Sequence, residues 1–167
     1  MIRTLISSLF ATAMLFLSFS SFAQTAAAPD FVLPDLAGEN YRLSKNFGAG
    51  PILINFWATW CAPCIEEMKK LKDLHQEFGQ TGLTILAISI DDPKTVGKVK
   101  SFVNTNRYPF KFLLDTNNDV FRRYQGVNVP FTILLNRDGQ AVYTHTGYRK
   151  GDAKKLQEQI AKLIRRD

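Results

Sequence analysis

Only two residues in this chain can do thiol chemistry, Cys61 and Cys64, and they stand in Trp60-Cys61-Ala62-Pro63-Cys64, where an apolar, β-rich run gives way to a helical pattern. A pair with this spacing could be a structural staple, half of a zinc site or a reversible dithiol. A bridge closing so short a loop removes roughly 2 kcal/mol of unfolded-state freedom, against about 4.7 kcal/mol for a hundred-residue loop, so a staple would be better served by wider spacing. Zinc would need a second Cys or His pair at short spacing, and the only histidines, His75 and His145, lie far apart in sequence. Placement favours the reversible dithiol.

The elements around the pair set that placement. Ile52-Leu53-Ile54-Asn55-Phe56-Trp57 is nearly continuous apolar sequence, the pattern of a strand buried on both faces. Asn55 interrupts it and must find hydrogen bonds inside, since an unpaired buried amide costs about 1–3 kcal/mol. A helix is predicted over residues 62–78, with Pro63 in its first turn, where a missing N–H is harmless. Cys61 then lies at the helix N-terminus, where free N–H groups and the macrodipole favour a thiolate, so Cys61 is the predicted nucleophile. Cys64, one turn in on the apolar side, is the predicted resolving thiol. At roughly 100° per residue, Cys64, Leu71, Leu74 and Phe78 share a sector that takes in Glu67 and leaves out Glu66. Burial raises a carboxylate pKa, which suits Glu67 to exchange a proton with Cys64. A Glu67 that reaches the surface or pairs with a lysine is the alternative. His75 lies about 16 Å along the helix axis from Cys64, too far to act directly, and His145 reads as a strand-end residue.

Residues 84–90 form a second buried strand, and strand, helix, strand in that order implies a right-handed crossover between parallel strands. Asp91-Asp92-Pro93 is predicted to cap a helix over 94–106, with Val96, Val99, Phe102 and Val103 inward. A short extended piece at 112–114 and a short helix at 118–124 follow. Residues 129–135 and 141–144 flank the turn Asn136-Arg137-Asp138-Gly139, an Asp-Gly hairpin signal. Asp152 is predicted to cap a last helix striped with Leu156, Ile160, Leu163 and Ile164. Ahead of all this, two extended pieces around Gly38-Glu39-Asn40 predict an edge hairpin, with Pro34 confining the first piece to an edge. The expected class is α/β: a central mixed sheet of parallel strands plus a C-terminal antiparallel hairpin, flanked by helices, with an N-terminal β-hairpin extension.

Met1-Ile2-Arg3 supplies a positive start, residues 5–19 are apolar apart from small hydroxyl residues, and Ser21-Phe22-Ala23 has the small-x-small pattern of a signal-peptidase site. Residues 1–23 are therefore predicted to be an export signal, cleaved after Ala23, leaving a domain over 24–167 in a compartment that tolerates disulfides. An uncleaved membrane anchor is the alternative, although the run is short of the ~20 apolar residues that span a bilayer. No cysteine follows the cleavage point to take a lipid. The formal charge of +6 is scattered among acids except at Lys154-Lys155 and Arg165-Arg166. Such scatter is a solvated surface, not a nucleic-acid stripe, and a monomer without nucleic-acid partners is expected.

Taken together these residues resemble the exported TlpA/ResA-like branch of the thioredoxin superfamily. The resemblance rests on Asn55-Phe56-Trp57-Ala58-Thr59-Trp60-Cys61-Ala62-Pro63-Cys64, on Glu67, on Val127-Asn128-Val129-Pro130 ahead of a strand, and on the opening Pro29-Asp30-Phe31-Val32-Leu33-Pro34-Asp35-Leu36-Ala37-Gly38. It implies a thioredoxin-like fold and an exported thiol:disulfide oxidoreductase with no metal and no cofactor beyond the redox-active pair. It further implies that Trp60, Pro63, Val129 and Pro130 bind substrate. Pro130 would be cis and face the dithiol, with Val129 offering backbone groups to an extended substrate segment. The residues alone leave an ordinary trans turn proline open. Members carry a glutamate at the Glu67 position, which implies the same proton role. Cytoplasmic thioredoxins have a buried aspartate where this chain has Asn55, so Glu67 is the only acid near enough by sequence. Implied partners are exported proteins with disulfides, such as apocytochrome c or a copper-delivery protein, and a membrane electron donor.

Three functions fit this pattern: a reductase working through Cys61, a redox-inert adaptor holding a partner strand at Val129, and a peroxiredoxin-like peroxidase. The intact dithiol counts against the adaptor. The peroxidase reading lacks that family's upstream Pro and Thr, whose places are taken by Ile54 and Ala58. Ala62-Pro63 between the cysteines resembles reductases more than strong oxidants.

Overall fold

A computed structural model describes residues 27–165, so the predicted leader and its cleavage site lie outside the described residues. The six residues of β3 (Ile52–Trp57) are all buried, as their apolar run requires. Alternation sends Ile52, Ile54 and Phe56 to one face and Leu53, Asn55 and Trp57 to the other. β3 pairs in parallel with β4 (Thr84–Ser89), which pairs in parallel with β5 (Lys111–Leu114). On its other side β3 runs antiparallel to β6 (Phe131–Leu135), and β6 to β7 (Ala141–Thr146). The sheet order is thus β5-β4-β3-β6-β7, with β3 central and Asn55 set opposite Ala87 on one neighbour and Thr132 on the other.

Different elements cover the two faces. The Ile52, Ile54 and Phe56 face packs against Phe31, Leu33 and Leu43 from the N-terminal segment and Val120, Phe121 and Tyr124 from around α3 (Asp119–Arg123). That segment contains the antiparallel hairpin of β1 (Val32–Pro34) and β2 (Asn40–Arg42), a two-stranded sheet of its own that touches β5 through an Asp35–Leu113 bridge. Under α1 (Ala62–Phe78) and α4 (Asp152–Ile164), Leu53 packs with Leu71, Leu74, Phe78, Leu156 and Ile160. Under α2 (Val96–Asn106), Trp57 packs with Cys64, Met68, Val99 and Phe112. Each fully buried Leu or Ile in these layers contributes about 1.5–3 kcal/mol, so the layers rather than helix propensity hold the frame.

The elements point to two poles. β3 runs toward the dithiol, while the β6–β7 hairpin tip lies at the opposite end, beside Ile52. There the described chain enters, with Ala27 bridging Gln140 and the Ala28 N–H donating to the Gly139 carbonyl at 2.7 Å. Gln157 donates to Glu77 at 2.7 Å, so α4 runs down beside α1 and leaves at the same far pole.

Two predicted caps differ from what forms. Asp92 Oδ1 accepts from the Lys94 and Thr95 N–H groups and makes a turn ahead of α2, which starts at Val96 with no side-chain cap. Asp91 turns inward instead, where its buried carboxylate accepts from Thr59 and Ser89. Gly151, with φ of 104°, takes the cap position of α4, and Asp152 follows it as the first helical residue. The Asp152 carboxylate instead accepts from the Arg149 N–H at 2.7 Å and lies 3.1 Å from His145 Nε2. His145, the penultimate residue of β7, is correspondingly half-buried near the strand end where its sequence places it.

Candidate active site

Cys61 occupies the N-cap of α1 in an extended backbone conformation, and its Sγ accepts from the Cys64 N–H at 3.2 Å. A sulfur here meets the free N–H groups of the first turn, which stabilise negative charge on it. Pro63 lies in that turn and forfeits no bond. Cys61 and Cys64 are joined as a disulfide with inequivalent sulfurs: Cys61 is 5% exposed and Cys64 is sealed at 0%. An external thiol or disulfide therefore meets Cys61 first. Trp60, 68% exposed, stands beside it.

The loop carrying the pair is anchored from β4. Asp91 accepts from the Thr59 N–H at 2.9 Å, from the Thr59 hydroxyl, and from the Ser89 hydroxyl at 2.9 Å. The Cys61 N–H then donates back to the Ala58 carbonyl at 3.2 Å. Sequence reasoning assigned Asp91 to a helix cap and so missed this role; a residue one place past a buried strand was the available signal.

Glu67 lies on the buried side of α1, as its helical sector predicts, and is 4% exposed. Its Oε2 accepts from Asn55 Nδ2 at 2.7 Å and its Oε1 from the Thr132 hydroxyl at 2.9 Å. Asn55 Nδ2 also donates to Thr132 Oγ1 at 2.9 Å, closing a triangle of side chains from α1, β3 and β6. Burial dominates the carboxyl's proton affinity. It outweighs the Thr132 and Asn55 hydrogen bonds, the Asp152 charge adds to it, and the pKa rises to about 7. Asn55 Oδ1 is buried without a partner. Thr132 was not singled out from sequence, although a hydroxyl interrupting a buried strand is the same signal that marked Asn55.

The Val129–Pro130 bond is cis. Pro130 and Val129 line a groove together with Pro63, which brings three of the four predicted substrate-binding residues to one side of the dithiol. Val129 also packs against the cluster that contains Cys61 and Cys64. Adjoining that groove through His145, Tyr148 and Asp152, a cavity of about 10 Å³ is lined in part by Glu67 and Thr132. For Asp152 burial acts upward, but the Arg149 N–H and His145 hold the carboxyl below the usual range.

A mixed five-stranded sheet with an asymmetric disulfide at the first helix's N-terminus and a cis-proline beside it defines a thioredoxin-fold thiol:disulfide oxidoreductase. The profile of the AhpC/TSA family matches residues 25–144. The thiol-disulfide oxidoreductase ResA of Geobacillus kaustophilus is 34% identical over 128 residues, covering 77% of this chain and 72% of the relative. ResA of Bacillus subtilis is 33% identical, covering 76% and 69%. A Chlorobium tepidum structure, provisionally assigned as the thiol:disulfide interchange protein DsbE, superimposes with a TM-score of 0.77 at 26% identity, covering 84% of this chain and 96% of that one. The chain belongs to the AhpC/TSA family, within its TlpA/ResA-like thioredoxin-superfamily branch, and is a thiol:disulfide oxidoreductase by that kinship.

Proposed function

We propose that the chain is exported and reduces disulfides of periplasmic proteins, with Cys61 as nucleophile, Cys64 as resolving thiol and Glu67 exchanging the proton of Cys64. The Cys61 thiolate attacks one sulfur of the substrate disulfide, forming a Cys61–substrate bond and releasing the other substrate sulfur as thiolate. The Glu67 carboxylate takes the proton of Cys64. The Cys64 thiolate then attacks Cys61 Sγ, closing the disulfide and releasing the second substrate sulfur, which is protonated from Glu67 or solvent. Two electrons pass to the substrate, and a membrane protein carrying a dithiol returns them to the Cys61–Cys64 pair. No separate cofactor is needed, because the pair itself stores the electrons.

The observation that supports this reading is the inequality of the sulfurs: one capping α1 and slightly exposed, one sealed beneath it on the helix side that holds the buried Glu67 carboxyl with its raised pKa. Trp60, Pro63, Val129 and Pro130 hold the substrate strand around Cys61. Family resemblance names apocytochrome c and copper-delivery proteins as substrate types. The peroxidase alternative is disfavoured by the wholly buried apolar Ile54 and Ala58 at the places that chemistry fills with Pro and Thr. The test is Cys64→Ser expressed as the full chain in a Gram-negative host. Disulfide-linked adducts through Cys61 in the periplasmic fraction are expected; their absence, or equal adducts from Cys61→Ser, overturns the proposal.

A further inference from the structure

The groove that begins at Pro63, Val129 and Pro130 continues along the β7–α4 connection past Tyr148 and Arg149 to Lys155, with a volume of about 540 Å³. Its neighbour shares Tyr148 and is lined otherwise by Glu66, Lys69, Lys70 and Lys150. Between them these walls carry five cations and two carboxylates, Asp152 and Glu66. Asp152 is unavailable to a ligand: it is buried on the groove floor, already taken by the Arg149 N–H and His145, with Lys155 Nζ at 3.6 Å. Lys70 is held by Asp73 at 3.1 Å, whereas Lys69, Arg149 and Lys150 form no ion pair among the described residues. The cations therefore leave a net positive wall directly beside the reactive disulfide. The established chemistry assigns them no part.

We propose that this groove receives an acidic stretch of the substrate polypeptide flanking its disulfide, so that the reductase selects cystines set among Asp and Glu. The inference rests on the reductase reading and adds a substrate class to it. The observations favour a polypeptide over an anionic membrane, because Arg149 and Lys155 line a concave channel that starts at Val129–Pro130, and Lys69, Lys70 and Lys150 line the concavity that adjoins it at Tyr148, not a flat face. A peptide extended from Val129 would carry its next side chains past Tyr148 and Arg149, rising about 3.3 Å per residue. Paired exposed charges are individually weak, so the effect is expected mainly in the association step.

The test uses DTT-reduced, desalted full-domain protein and two peptides with the same intramolecular disulfide, one flanked by Glu and one by Lys. Single-turnover oxidation rates are divided by the rate each protein shows with the uncharged hydroxyethyl disulfide. At low salt the acidic peptide should react about tenfold faster than the basic one, and the ratio should collapse near 1 M salt, where the screening length is about 3 Å. Arg149→Gln with Lys155→Gln should bring the ratio toward one, and Arg149→Glu with Lys155→Glu should invert it. Equal wild-type rates, or a preference that survives both substituted proteins, overturns the groove. So does equal reactivity combined with Arg149-dependent binding to phosphatidylglycerol vesicles, which would assign the cations to a lipid surface. Failure of wild type to react with hydroxyethyl disulfide at all would instead overturn the reductase reading beneath it.

Discussion

Glu67 is a carboxyl with both oxygens occupied by donors in a site that burial makes hostile to charge. The donors suit the ionised form and the burial suits the neutral one, which is why the group sits near neutrality. Asn55 connects the two states: its unpartnered Oδ1 is the acceptor that a half-turn of the amide would present to a protonated Glu67. The raised pKa has a thermodynamic sign. A carboxyl lifted from 4.5 to about 7 in the fold stabilises it fully below pH 4.5 and loses that contribution as pH rises through 7, a loss of about 3 kcal/mol. Asp30 and Asp152 are held below the usual range and act only at lower pH. Between pH 5 and 8 the oxidised Glu67→Gln protein should therefore lose about 2–3 kcal/mol less stability than wild type, read by urea unfolding at both pH values. The same substitution should flatten the pH dependence of Cys64 alkylation in the reduced protein; identical alkylation curves would remove Glu67 from the mechanism.

At the scale of elements, the dithiol loop depends on a residue that touches no sulfur. Asp91 joins the end of β4 to Thr59, two residues before Cys61, through three accepted hydrogen bonds. Asp91→Ala would leave the Thr59 N–H and two hydroxyls without their acceptor, at about 2–3 kcal/mol in all. Chemical denaturation should show that loss, and a change under 0.5 kcal/mol would mean the loop holds itself. This link also marks where sequence reasoning stops. The helix over 62–78 was legible to the residue, because its apolar spacing, its Pro63 and its cysteine cap are all local. Glu67 was legible for the same reason: a helical sector is a property of a single element. Thr132 and the His145–Asp152 pair were not, because each matters only through a partner on a different element, chosen by strand register. Asp91 and Asp152 were misread as caps, since an acid near a helix start satisfies the local rule whether or not tertiary contacts claim it first.

At the scale of the whole molecule, the chemistry gathers at one pole. The sheet's strand ends, the N-terminus of α1, the cis-proline and the start of α4 meet there, while α1 carries the chain about 25 Å away from it. Residues Ala27 and Arg165, where the described chain enters and leaves, both belong to the far pole: Ala27 pairs at the β6–β7 hairpin tip, and Arg165 lies beside Phe78 at the end of α1. Protein biotinylated ahead of Ala27 or after Arg165 and fixed to streptavidin should turn over hydroxyethyl disulfide within about twofold of the free protein. A loss beyond tenfold at either attachment would show that the far pole participates.

The pairing of Ala27 with Gln140 has one more consequence. Ala27 is fixed at the end of the sheet opposite the dithiol, so a tether joined at that residue is anchored at the pole away from the reactive sulfurs and leaves their orientation alone. If the chain is exported as proposed, cleaving or keeping its leader would set the volume the domain searches and leave the chemistry of Cys61 and Cys64 unchanged.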